Sequence, residues 1–131
     1  MAALTVQVVT PEREVTVCDD ATLVVARGVE GEVGIMPGHT PLLIALSVGA
    51  LTLVREGNRR DVIAVDGGFL QVSRDQVIIL AEYAVLPSEI DVGATEAEIA
   101  ELRSRITAEA EDESLKRQLA RAEAVRAIAR M

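Results

Sequence analysis

The hydrophobic pattern of this 131-residue chain changes its period once, at Leu86-Pro87, and that break constrains the fold more than any single motif. Before it, short β-branched runs alternate with turn residues; after it, Glu, Ala and Arg dominate and apolar residues recur every three or four positions. Side chains alternate faces along a strand and return to one face about every 3.6 residues along a helix. The chain therefore reads as a β domain followed by helices.

The β part is built from the runs Leu4 to Val9, Val15 to Cys18, Thr22 to Ala26, Ala50 to Val54, Val62 to Val65, Phe69 to Val72 and Val77 to Ala81. Gly57-Asn58 and Asp66-Gly67-Gly68 are turn signals, because these residues accept the positive φ of tight hairpins. Many short strands at this spacing predict an antiparallel sandwich or barrel. In the helical part, Ile99, Leu102, Ile106 and Ala110 form one apolar stripe. Thr95 with Glu98 makes a capping box, and Asp91 is an alternative helix start. Glu111-Asp112-Glu113-Ser114 breaks the period before a second stripe of Leu115, Leu119, Ala122, Val125 and Ile128. Two short, Ala-rich stripes bury little by themselves, so the helical hairpin is expected to be marginally stable without a docking surface.

Only Phe69 and Tyr83 are aromatic, so the core must be aliphatic, which argues against an aromatic-lined sugar or base groove. A net charge of -8 disfavours nucleic acid, whose recognition needs a basic face. The charge is unevenly placed. Residues 88–113 hold nine acids against Arg103 and Arg105, whereas residues 115–131 hold Lys116, Arg117, Arg121, Arg126 and Arg130 against Glu123. Cys18 is the single cysteine, so no intrachain disulfide forms and a reducing compartment fits. The N-terminus lacks a basic region with a long apolar run, and no stretch approaches a membrane span; peripheral attachment to a membrane complex stays open.

Candidates for chemistry are few. His39, the one histidine, lies in Met36-Pro37-Gly38-His39-Thr40-Pro41, and a lone loop histidine is ordinarily a surface or hydrogen-bonded residue. Gly31, Gly34 and Gly38 lack the Lys-Ser/Thr of a phosphate loop. Asp19-Asp20 and Glu111-Asp112-Glu113 lack the spacing of a calcium loop and read as solvated turns. Cys18 reads as a small core residue. Neither a metal nor a cofactor is expected, and the chain reads as a non-catalytic protein-interaction subunit.

The run Glu30 to Leu43, with Val48-Gly49-Ala50-Leu51, Val65 to Val72, Val77 to Glu82 and Glu89-Ile90-Asp91, closely resembles the epsilon subunit of F-type ATP synthases, in the right order along essentially the whole chain. The resemblance implies an N-terminal antiparallel β-sandwich over residues 1–87 and a C-terminal two-helix hairpin over 88–131. It implies a central-stalk subunit that binds the gamma subunit and the membrane proteolipid ring and couples ring rotation to ATP synthesis. It further implies that the hairpin can extend to the alpha/beta catalytic head and restrain hydrolysis, at the cytoplasmic face of a bacterial plasma membrane, with a plastid thylakoid as the alternative.

Carried over by position, Val29, Glu30, Gly31, Glu32, Val33 and Gly34 form the ring-facing loop. Met36, Pro37, Gly38, His39, Gly67 and Gly68 shape the domain and its gamma surface. Lys116, Arg117, Arg121 and Arg126 form a regulatory basic helix, in which Lys116, Arg117 and Arg121 are expected to face the acidic first helix when the hairpin is retracted. Some members bind ATP through a motif beginning Ile-Asp. Here Ile90 and Asp91 stand as a weak nucleotide contact, because the motif's arginine is replaced by Ala94 and its alanine by Thr95. A ligand-sensing clamp of sandwich and hairpin is the rival reading; a small β-barrel hydrolase or isomerase fits least.

Overall fold

A computed structural model describes residues 3–38, 41–109 and 111–129. Nine strands precede two helices: β1 (Leu4–Val9), β2 (Glu14–Gly28), β3 (Gly31–Ile35), β4 (Leu42–Ala45), β5 (Gly49–Arg55), β6 (Arg59–Asp66), β7 (Phe69–Ser73), β8 (Gln76–Leu80), β9 (Tyr83–Val85), α1 (Val92–Ala108) and α2 (Glu113–Ala129). The strands follow the order β4-β7-β8-β1-β2-β5-β6-β9, with β3 also paired to β2.

The long strand β2 makes the two layers. Its first half, to Ala21, pairs with β1, and its second half pairs with β5 and β3. Register shifts on both sides of Ala21 bend the strand from one layer into the other, as bulges do. Val15–Cys18 and Thr22–Ala26 are therefore one strand and not two. The acidic pair between them does not end it: Asp20 accepts from Arg55 Nε at 2.7 Å and from Arg59 at 2.6 Å, so the guanidinium groups neutralise it within the ladder and hold its carboxyl below the usual range. One pair, β1 with β8, is parallel in an otherwise antiparallel sandwich, because these strands come from different hairpins.

Between the layers lie Leu4, Val6, Val8, Val24, Ile35, Leu51, Leu53, Ile63, Leu70 and Ile79, all nearly or fully buried. The core is aliphatic, as composition required. Both aromatic rings lie outside it: Phe69 is 52% exposed, and Tyr83 packs in the seam with α2. Cys18 is buried in the sandwich core, and its thiol is pushed up by that burial.

The Gly57-Asn58 turn forms as expected, both residues having positive φ. At the β6–β7 turn Gly68 has φ +98°; a Cβ there would sit on the Leu80 carbonyl and 2.8 Å from Ala81 Cα. Only glycine passes at that crossing.

Asp91 caps α1: its carboxylate accepts from the Ala94 N–H at 3.0 Å. Thr95 is instead inside the helix and donates its hydroxyl back to the Asp91 carbonyl. The capping box at Thr95 and Glu98 is thus displaced by the stronger acceptor four residues earlier. Asp112 caps α2 by accepting from the Leu115 N–H at 3.2 Å.

Candidate functional site

Three surfaces carry the candidate residues: the seam between α2 and the sandwich, the tip of the β2–β3 hairpin, and the outward face of the layer β4-β7-β8-β1.

Helix α2 carries two different stripes. Leu115, Leu119 and Ala122 pack against Ile99, Leu102 and Ile106 of α1. Val125 and Ile128 pack instead on Ala64 of β6, with Ala50, Val62, Tyr83, Val85 and Ile90 around them. Residues four apart share a helix face, so Arg117 and Arg121 continue the sandwich-facing stripe of Val125. Arg121 Nε donates to the Asp66 carboxylate at 2.6 Å, and its guanidinium carbon lies 4.5 Å from the centre of the Tyr83 ring. Arg117 lines the adjoining groove with Asp66, Ser114 and Gln118. Burial pushes the Tyr83 phenol up, against the opposing pull of the Arg121 charge.

These contacts correct the expected electrostatics of the basic helix. Arg121 faces the sandwich, not the acidic first helix, and Lys116 pairs with Glu113 of its own helix at 3.4 Å. Across the hairpin, Arg126 reaches Glu96 at 3.5 Å and Arg103 reaches Glu123 at 2.9 Å. The physical reason is the rotation of the helix, which charge counted along the chain does not register.

The Ile90-Asp91 stretch is committed to structure. Ile90 lies in the apolar seam, and the Asp91 carboxylate is spent on its helix cap. Just before it, Glu89 ties the linker down by accepting from Arg13 and from the Leu86 N–H, both at 2.8 Å. The guanidinium first, and the N–H second, hold the Glu89 carboxyl below the usual carboxylate range.

At the hairpin tip, the expected six-residue loop is mostly strand. Gly28 pairs with Gly31, leaving Val29 and Glu30 as the turn; Gly31, Glu32, Val33 and Gly34 belong to β3. The difference arises because β2 stays paired to its end, so the partner can begin at once. Val29 is 65% exposed, and Glu30 and Glu32 are exposed beside it. A groove runs from this turn to Leu42, Leu43, Ile44 and Ala45.

Met36 is exposed, Pro37 follows it, and the Gly38 N–H donates to the Asp75 carboxylate at 3.0 Å, which fastens this segment to the β7–β8 turn. His39 lies outside the described residues. Strand β4, which directly follows, was hidden within what reads as a loop.

The outward face of β4-β7-β8-β1 exposes Leu43, Phe69, Leu80 and, on β2, Val17, each more than half exposed. The cross-strand rows through Leu43 and Phe69 contain a single charged residue, Glu14, which accepts from Gln7. A monomer ordinarily covers such a face with polar residues, and an uncharged apolar one marks a contact surface. Phe69 and Leu80 lie within the family-like segments but not among the expected site residues, and Val17 lies outside those segments. The unbroken run Val77-Ile78-Ile79-Leu80 was the available signal, because a strand apolar at every position is covered on both faces.

Among the described residues no group of three or more His, Cys, Asp and Glu side chains could hold a metal ion. Among the described residues, no helix is long and apolar enough to cross a membrane.

Known proteins match this architecture. The family model for the ATP synthase delta/epsilon chain β-sandwich domain matches residues 3–87. The ATP synthase epsilon chain of Brevibacillus brevis is 45% identical over 107 residues, covering 82% of this chain and 80% of the relative. That of Corynebacterium diphtheriae is 39% identical over 121 residues, covering 89% and 97%. Among solved structures, a chain of the Euglena gracilis mitochondrial ATP synthase (OSCP/F1/c-ring) superposes with a TM-score of 0.77 over 99% of this chain and 81% of that one. At 24% identity this last likeness speaks for the fold alone. Sandwich, hairpin and sequence agree, and the chain belongs to the ATP synthase epsilon-chain family.

Proposed function

We propose that this chain is a non-catalytic rotor subunit of the central stalk, coupling proton-driven rotation of the membrane proteolipid ring to ATP synthesis in the catalytic head. The observation that carries the reading is the match to epsilon chains along most of both sequences, over the sandwich and into the helices. In this reading residues 1–87 are the coupling unit and 88–131 the regulatory one. The site is the cytoplasmic face of a bacterial plasma membrane, as a peripheral subunit.

The three surfaces take separate partners. The sparsely charged face of Phe69, Leu80, Leu43 and Val17 meets the gamma subunit, held in shape by the Gly67-Gly68 turn and the Gly38–Asp75 tether. The Val29-Glu30 turn, with Glu32 beside it, meets the ring. The hairpin leaves the sandwich to reach the alpha/beta head and restrain hydrolysis, a change suited to an element whose buried apolar docking side chains, among the described residues of α2, are Val125 and Ile128. Nucleotide sensing has little support here, since Asp91 is used as a cap and Ala94 brings no cation.

The gamma surface can be tested directly. Leu80→Glu places a charge where the free chain exposes it to water, so the isolated protein should keep its stability. In the assembled enzyme that charge would be buried unpaired, and the affinity for gamma should fall by about tenfold or more. Co-purification of gamma with a tagged chain is the measurement; equal recovery with the variant would place gamma elsewhere.

A further inference from the structure

We infer that Asp66 and Tyr83 form a receptor for the Arg121 guanidinium that latches the hairpin to the sandwich, so that one cation sets how often the hairpin comes free. Asp66 and Tyr83 stand directly opposite each other on β6 and β9, and cross-strand partners project from the same side of a sheet. The carboxylate takes the Nε–H edge of the guanidinium while the ring supports its face. A flat cation gripped at once on edge and face is held in one orientation, which an ammonium group is not.

The backbone of the receptor is set by the sheet and not by α2. Asp66 is the last residue of β6, and the turn after it is fixed by Gly68, which admits no side chain. The Tyr83 backbone is set by its pairing with Asp66, and Ala64 and Val85 of the sheet flank the seam that α2 completes around the ring. A backbone set in advance leaves less to order on binding. The Asp66 side chain is only 14% exposed, whereas that of Arg121 is 41% exposed, so the acid is the buried half of the pair. With the hairpin docked, losing the cation would leave that carboxylate covered and unpaired, which destabilises the docked state.

This latch reverses the sign expected of the basic helix. Arginines that faced only the catalytic head would relieve inhibition when removed. An arginine that holds the hairpin on the sandwich does the opposite, because its loss favours the released hairpin. Arg117 lies one turn away in the same groove and can approach Asp66 when Arg121 is absent, so Asp66 is the more decisive position.

The latch itself is a property of the isolated chain; its effect on hydrolysis deepens the proposed function and rests on it. The test is amide hydrogen exchange on the full chain for wild type, Asp66→Asn, Arg121→Ala, Arg121→Lys and the Asp66→Asn/Arg121→Ala double variant. Exchange across residues 115–129 should accelerate about five- to tenfold in Asp66→Asn and Arg121→Ala, with Arg121→Lys between them and wild type. The double variant should exceed neither single one by much, and strands β1 and β5 should exchange as before. Unchanged exchange in α2, full additivity, or equal acceleration in the strands would each overturn the latch. In the assembled enzyme Asp66→Asn should then lower ATP hydrolysis. Hydrolysis at the wild-type rate, with α2 exchange accelerated, would leave the latch standing and overturn the regulatory reading of the hairpin.

Discussion

Replacing Gly68 by alanine is expected to cost the sandwich roughly 3–5 kcal/mol, the sum of a strained left-handed residue and a forced displacement of packed backbone. At φ +98° the new methyl meets the Leu80 carbonyl and lies 2.9 Å from its carbon, and neither atom belongs to a flexible side chain that could swing away. Relief would require parting the β6–β7 turn from the end of β8, next to Asp66 on one side and Phe69 on the other. The loss is a large share of the roughly 5–15 kcal/mol that stabilises an ordinary domain. Urea denaturation followed by circular dichroism gives the number. A variant within about 1 kcal/mol of wild type would mean that this crossing opens easily and does not shape the domain.

Truncating Ile128 to alanine should undock the hairpin while leaving the sandwich folded. Ile128 is fully buried and, with Val125, supplies the buried apolar side chains that α2 sets against Ala64. Large-to-small changes at such positions cost about 2–5 kcal/mol, and here most of that falls on one small seam. The α1–α2 contact through Ile99, Leu102 and Leu115 lies on the other side of the helix and should persist. Exchange should therefore rise through residues 113–129, and the core strands should stay protected. If exchange in α2 stays at its wild-type rate, the hairpin is held by contacts other than this seam. The Asp66–Arg121 pair adds direction to that seam but, being partly exposed, less energy.

The period break at Leu86-Pro87 was enough to divide strands from helices, because the two repeats differ over many residues. Finer features depended on partners distant in sequence. Nothing local shows that Asp19-Asp20 lies within a continuous strand; that follows from Arg55 and Arg59, which arrive from the end of β5 and the start of β6. Strand β4 has four residues and draws its pairing from β7, so Leu42–Ala45 resembled the end of a loop.

The candidate site was legible in position more than in geometry. The Val29 to Gly34 motif falls on the β2–β3 hairpin, but only the register with Val24 to Gly28 shortened its loop to two residues. For the basic helix, the needed signal was already in the chain: Arg117, Arg121, Val125 and Ile128 fall on one stripe, Leu115, Leu119, Ala122 and Arg126 on another. Choosing which stripe meets the sandwich required Tyr83 and Asp66, brought together by pairing of β6 with β9.

The most direct measurement is made on membranes whose enzyme carries residues 1–87 in place of the full chain, comparing proton-driven ATP synthesis with ATP hydrolysis. The sandwich bears the surface proposed to meet gamma and the Val29-Glu30 turn, and its core is separate from the clusters that involve the hairpin. Synthesis should proceed at close to the full-length rate, while hydrolysis rises because no hairpin can reach the head. Loss of synthesis with the shortened chain folded and bound to gamma would contradict the assignment of coupling to the sandwich.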